Sequence, residues 1–124
     1  MDNPASNNIE ERRRYQRVWS NLPLRYRNLR KIGEASIGTL SKDISEGGIR
    51  FKTNEFISLA CRLVIEITLP TVSKPIKAIS KVAWIKKIPA SEQYELGNQF
   101  LDMAKEDKRH VMDFVNKTVN KPLA

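Results

Sequence analysis

Through most of this chain apolar residues recur at every second position, and only near its end do they switch to helical spacing. The clearest run sets Leu63, Ile65, Ile67 and Leu69 against Arg62, Glu66 and Thr68. This is the pattern of a strand with one buried face. Pro70 stops it, because proline has no N–H to give a ladder. Similar signals predict strands over Val18–Tyr26, Ser36–Asp43, Ile49–Thr53, Ile76–Ile85 and Tyr94–Leu101. Glu46-Gly47-Gly48 turns the chain between the second and third strands, and Pro89 lies in the last loop. After Asp102 the spacing changes. Val111, Phe114, Val115 and Val119 line one helical face, with Lys105, Glu106, Asp107, Lys108, Lys117 and Asn120 opposite. Five or six short antiparallel strands followed by one amphipathic helix predict a mainly β fold, a small barrel capped at its end.

The length of 124 residues allows one domain with a single modest core. Residues 1–11 are polar with little to bury and are read as a flexible N-terminal arm; 12–121 form the domain. No apolar run approaches the roughly 20 residues of a membrane span, and no signal-peptide h-region is present. The lone Cys61 sits among apolar residues, as a buried thiol in a reducing compartment would. A cytoplasmic protein is expected. The 22 basic and 14 acidic residues give a formal charge of +8. Arg12 to Lys31 holds eight basic residues and no acid, mostly arginine, whereas the second half is mostly lysine. A planar guanidinium grips a phosphate with two parallel hydrogen bonds or lies flat on a base, which an ammonium cannot do. The arginine-rich end is therefore where a compact anion carrying flat rings is expected.

Two motifs sharpen that expectation. Arg13 and Arg17 form an RxxxR pair, the only arginines in the chain four apart. Thirty residues after Arg13, Asp43-Ile44-Ser45-Glu46-Gly47-Gly48 reads DxSxxG. In this order, with a strand-like run between them, the two resemble the ligand motif of the PilZ family, receptors for cyclic di-GMP. The resemblance extends along the chain through Leu22-Pro23-Leu24-Arg25-Tyr26, Lys81-Val82-Ala83-Trp84-Ile85 and Tyr94 to Leu101. Ala104 stands where the family often has serine near its helix start.

The resemblance implies a six-stranded antiparallel β-barrel with a C-terminal α-helix. It also implies a stand-alone cyclic di-GMP receptor without a cofactor, acting through an effector protein. The ligand-binding residues carried over are Arg12, Arg13, Arg17, Asp43, Ser45 and Gly48, with Arg14, Gly47 and Trp84 as secondary candidates. The chemistry is compatible. A guanidinium fork matches guanine O6 and N7. An ionised Asp43 only accepts, and guanine N1–H and N2–H only donate. The Ser45 hydroxyl can donate to a phosphate or base oxygen. Gly48 is expected to take positive φ and let the backbone approach the ligand. The arm would fold over the barrel when ligand arrives. By family analogy Arg12 implies a stacked ligand dimer, two molecules per domain.

Plainer readings stand beside these. The Arg12–Arg17 cluster also fits a generic basic tail, and Asp43-Ser45-Gly48 a turn whose polar side chains bond their own backbone. Trp84 reads as core or, at the barrel mouth, as a platform for a base or an arginine; Trp19 reads as core or as a contact of the bound arm. His110 is the only histidine and no metal site is expected. Without a nucleophile–base pair or a Gly-rich phosphate loop, an enzyme is not expected. The alternatives kept open are a small basic barrel binding RNA or single-stranded DNA and a ligand-independent protein-interaction module.

Overall fold

The structure is a computed structural model that describes residues 16–119. Arg12, Arg13 and Arg14, and the arm before them, lie outside the described residues. Among the described residues seven strands are formed: β1 (Arg17–Trp19), β2 (Pro23–Asn28), β3 (Ile37–Ser45), β4 (Gly48–Thr53), β5 (Arg62–Ile67), β6 (Ile76–Lys87) and β7 (Tyr94–Met103). They are followed by one helix, α1 (Lys105–Val119). Every pairing is antiparallel, and β2, β5, β6, β7, β4 and β3 close on one another as a six-stranded barrel.

The first expected strand, Val18–Tyr26, is interrupted. β1 pairs with the end of β3 (Val18 opposite Ile44), and β2 pairs with its beginning (Leu24 opposite Thr39). Between them Ser41 mends the gap. Its hydroxyl receives the Leu22 N–H at 2.8 Å and donates to the Ser20 carbonyl, while its own N–H reaches the Leu22 carbonyl at 2.9 Å. The break faces a bulge in β3: Ser41 opposes Phe51 and Asp43 opposes Arg50, so Lys42 is an extra residue. A bulge reverses the pleat. Ser41 therefore points inward with Phe51, and Asp43 points outward with Arg50.

Inward positions fill the barrel with fully buried Ile44, Ile49, Phe51, Ile65, Ile67 and Leu96. At about 25 cal/mol per Å² of buried apolar surface, this layer is the main favourable contribution to folding. Tyr26 packs on Phe51 with ring centroids 5.1 Å apart, and its hydroxyl pairs with Thr53 Oγ1 at 2.6 Å. Burial, the leading cause, raises the Tyr26 pKa above its ordinary value. Helix α1 stops one end of the barrel with Val111, Phe114 and Val115. Val119, expected on that inner face, is 42% exposed in the last turn. Acidic Glu106 and Asp107 in the first turn and Lys117 in the last suit the helix dipole. Asp107 also accepts the Lys77 N–H at 3.3 Å, tying the helix start to β6. Among the described residues no helix is long and apolar enough to cross a membrane.

Candidate functional site

Register assembles the site on the outside of the barrel at the end nearest α1. Residues directly opposed across a ladder share a face. Trp19, Asp43 and Arg50 are opposed across β1, β3 and β4, and so are Arg17, Ser45 and Gly48. Asp43 is the hub. Arg17 Nη1 donates to its Oδ1 at 2.5 Å, Arg50 Nε donates to its Oδ2 at 2.6 Å, and Arg50 Nη2 reaches the same oxygen. The Asp43 side chain is fully buried under these two guanidiniums, which remain 38% and 28% exposed. A buried carboxylate holding two cations is strongly coupled, because removing one partner leaves charge uncompensated. The hydrogen bond to Asp43 is the leading reason the Arg50 pKa lies above its ordinary value, against the opposing effect of burial. Trp19, 70% exposed, stacks beside these cations, with Arg50 Cζ 5.7 Å and Lys42 Nζ 5.5 Å from its ring centroid.

Ser45 closes the turn after Asp43. Its hydroxyl accepts the Gly47 and Gly48 N–H groups, each at 3.2 Å, and is almost fully buried. The expected positive φ at Gly48 does not occur; among the described glycines only Gly33 has one. Gly48 is required instead for close approach. A Cβ there would lie 2.1 Å from the Asn98 carbonyl oxygen on β7. Gly97 has the same function beneath Trp84, whose indole Nε1 would lie 2.1 Å from a Cβ at that position. A second bulge, with Ala83 as the extra residue between Val82 and Trp84, turns this tryptophan outward to 37% exposure.

Between the Arg17–Arg50 cluster and Trp84 opens a cleft of about 1240 Å³. Gly47, Gly48, Asn98 and Gln99 line it between these two sides, with Lys108 and the acids Glu46 and Asp102 also on its lining. The cleft thus brings two guanidiniums and an ammonium, which outnumber its two carboxylates, together with an indole and the exposed backbone of two glycines. Such a combination fits a flat, anionic ligand. Of the sequence candidates, Arg17, Ser45, Gly47, Gly48 and Trp84 line the cleft and Asp43 is buried behind Arg17 and Arg50, whereas Arg12, Arg13 and Arg14 lie outside the described residues.

Sequence reasoning missed Arg50, although the turn at Glu46-Gly47 carried the signal. A two-residue turn fixes Ser45 opposite Gly48, and two steps outward place Asp43 opposite Arg50. It also missed Asn98, whose Oδ1 accepts from Ser80 Oγ at 3.4 Å while its buried Nδ2 finds no partner among the described residues. Nothing in the local sequence around Asn98 points to that position.

The model of the PilZ domain family matches residues 11–117. The chain belongs to the PilZ domain family. No curated protein matches it. Among solved structures this PilZ domain is similar to the Bacillus subtilis inhibitor of motility MotI/DgrA, with a TM-score of 0.72 and 24% identity. That alignment covers 90% of this chain and 53% of the other, so the chain spans about half of that protein. It is also similar to the PilZ domain of Escherichia coli YcgR, solved with c-di-GMP: TM-score 0.66, 16% identity, 89% of this chain and 93% of that one. The Klebsiella protein MrkH aligns with a TM-score of 0.66 and 20% identity over 81% of this chain and 45% of its own. These likenesses establish the fold of the barrel.

Proposed function

We propose that this PilZ domain is a receptor for cyclic di-GMP that binds in the cleft between Arg17, Arg50 and Trp84. The observation carrying the reading is the pair of partly exposed guanidiniums held on the buried Asp43 carboxylate at the lip of that cleft. It is supported by family membership and by the YcgR PilZ domain having been solved with this ligand. Arg17 and Arg50 offer forked donors to a phosphate or to guanine O6 and N7. Asp43 aims them and is an acceptor for guanine N1–H when one arginine turns to the ligand. Ser45 acts through the turn, because its hydroxyl already holds Gly47 and Gly48 in place. Trp84 offers a stacking face. Arg13 supplies the second guanidinium of the RxxxR pair, with Arg12 and Arg14 beside it.

A typical small-molecule site encloses about 300–1,000 Å³, and the cleft is larger at about 1240 Å³. That room favours a stacked ligand pair, with Arg12 on the outer base. The segment before Arg17 orders over the ligand, and its new shape is read by a partner protein. Calorimetric titration tests the proposal. The expected result is binding with about two ligands per domain, weakened about a hundredfold by Arg17→Ala or Asp43→Ala through loss of charge-assisted bonds. An absence of heat, or unchanged affinity in both variants, rejects it. Salt-sensitive binding of oligonucleotides with no response to the dinucleotide would favour the basic-barrel reading instead.

A further inference from the structure

Strands β2, β4 and β6 run in one direction and β3, β5 and β7 in the other, so loops 29–36, 54–61 and 88–93 all emerge at one end of the barrel. That end is opposite the Glu46-Gly47 turn and helix α1. Loops 54–61 and 88–93 are joined to each other, and loop 29–36 is tied to the start of β5. Leu29 N–H donates to the Arg62 carbonyl at 2.9 Å, Gln93 Nε2 donates to Asn54 Oδ1 at 3.1 Å, and Phe56 meets Tyr94 edge-on at 5.7 Å. Each loop also contains one residue in the left-handed region, Gly33, Ala60 or Ala90. For the two alanines this conformation is costly, so the surrounding loop must enforce it.

This platform holds its apolar groups outward. Ile32 is 93% exposed, and Phe56 and Leu59 are each 61% exposed. They sit on two separate loops rather than in one flat patch, which suits insertion at points better than a broad protein contact. Cations stand at the same end: Arg30 and Lys31 directly precede Ile32, Arg62 begins β5, and Lys86 (opposite Glu95) and Lys87 end β6. The acids at this end are Glu34, Glu55, Glu92 and Glu95; Glu34 is 3.8 Å from Lys31 and Glu95 is 2.6 Å from Lys42. Apolar tips backed by basic side chains match the two layers of an anionic bilayer surface, acyl boundary and phosphate headgroups.

We propose that the loop end of the barrel docks on an anionic lipid surface, with Ile32, Phe56 and Leu59 entering the interface and the neighbouring arginines and lysines meeting lipid phosphates. The cleft lies at the opposite end and stays open to solvent while the domain is docked. This inference does not depend on the ligand proposed for that cleft.

Co-sedimentation of the full chain with vesicles tests it, using phosphatidylglycerol mixed into phosphatidylcholine against phosphatidylcholine alone. Binding is expected on the anionic vesicles only, falling with added salt. Each headgroup-facing cation is worth about fivefold in partition, so Lys86→Ala with Lys87→Ala is expected to weaken binding about 25-fold. The triple variant Ile32→Ser, Phe56→Ser, Leu59→Ser is expected to abolish binding while the melting temperature falls only slightly, because Ile32 is almost wholly in water and the main packing given up is the edge-on contact of Phe56 with Tyr94. A variant with Arg12, Arg13 and Arg14 changed to alanine is expected to keep most of the binding. Equal affinity for both vesicle types, or none for either, overturns the proposal. So does binding that survives the triple serine variant but is lost with the three arginines, or retention on an immobilised acidic protein without any on vesicles.

Discussion

Where β2, β5 and β6 meet, the barrel keeps an unbroken register, from Leu24 opposite Ile67 to Arg62 opposite Lys81. The wall that carries the site does not. Its β3–β4 ladder slips once, at Lys42, and its β6–β7 ladder slips at Leu101 and at Ala83. Regular pairing gives strict alternation, which is what a core needs. A bulge reverses that alternation and turns outward side chains that the pattern would have buried. Asp43 and Trp84 are both turned outward in this way. The same wall carries the two glycines that pack against a neighbour too closely for a Cβ, Gly48 and Gly97. The regular wall spends its sequence on stability, while the bulged wall gives some up for a cleft.

Substitutions of glycine should separate the walls most sharply. Gly48→Ala places a methyl group against the Asn98 carbonyl, which is backbone and cannot swing aside. A loss of about 3 kcal/mol in urea unfolding is expected, the upper part of the range for overpacking. Gly97→Ala meets only the Trp84 side chain, which can rotate away, so about 1–2 kcal/mol is expected. Gly38→Ala, facing the regular β2 strand with its nearest atom at 4.0 Å, should lie within about 0.5 kcal/mol of the parent. Equal costs at Gly38 and Gly48 would erase the contrast.

Charge comes next. Asp43→Ala leaves Arg17 and Arg50 without their shared acceptor, and about 2 kcal/mol is expected after allowing for the partial exposure of both. A double-mutant cycle with Arg50→Ala should return a coupling of about 1 kcal/mol or more; additive effects would show the cluster to be energetically idle. On the core side, Tyr26→Phe is expected to cost about 1 kcal/mol at neutral pH through the lost bond to Thr53. The raised pKa of Tyr26 means that folding favours the neutral phenol. Its contribution is complete below the ordinary tyrosine range, near 10, and declines as pH rises through the higher folded value. Denaturation followed from neutral to alkaline pH should therefore show a shallower fall in stability for Tyr26→Phe than for the parent. Trp19→Ala should change stability least, within about 0.5 kcal/mol, because its ring is mostly in water; a larger loss in thermal melting would mean that its stacking on Arg50 supports the cluster.

Much of the barrel was legible because strand periodicity is a local property. Leu63 to Leu69 alternates as expected, and the helix begins where the spacing changes after Asp102. The DxSxxG turn was legible as well, since Ser45 and the two glycines act on their own backbone within three residues. The break between β1 and β2 was not. It answers to a bulge at Lys42 nineteen or more residues away, and its repair depends on Ser41 reaching back to Leu22. Arg50 could have been placed by counting outward from the turn. Asn98 could not, because it reaches Gly48 only through the pairing of β4 with β7.

Composition, period and turn chemistry by themselves determined a β-barrel of short strands with a terminal helix, an arginine-rich leading segment and an acid held at a turn. They could do so because each is written in residues a few positions apart. Which faces those residues occupy was decided by the closed sheet. A single extra residue at Lys42 or Ala83 exchanges inside for outside, and the penalty for unpaired backbone groups allows such a slip only where a neighbouring strand can absorb it. Long-range pairing therefore turned two arginines, held by a buried carboxylate, and an indole into the walls of one cleft.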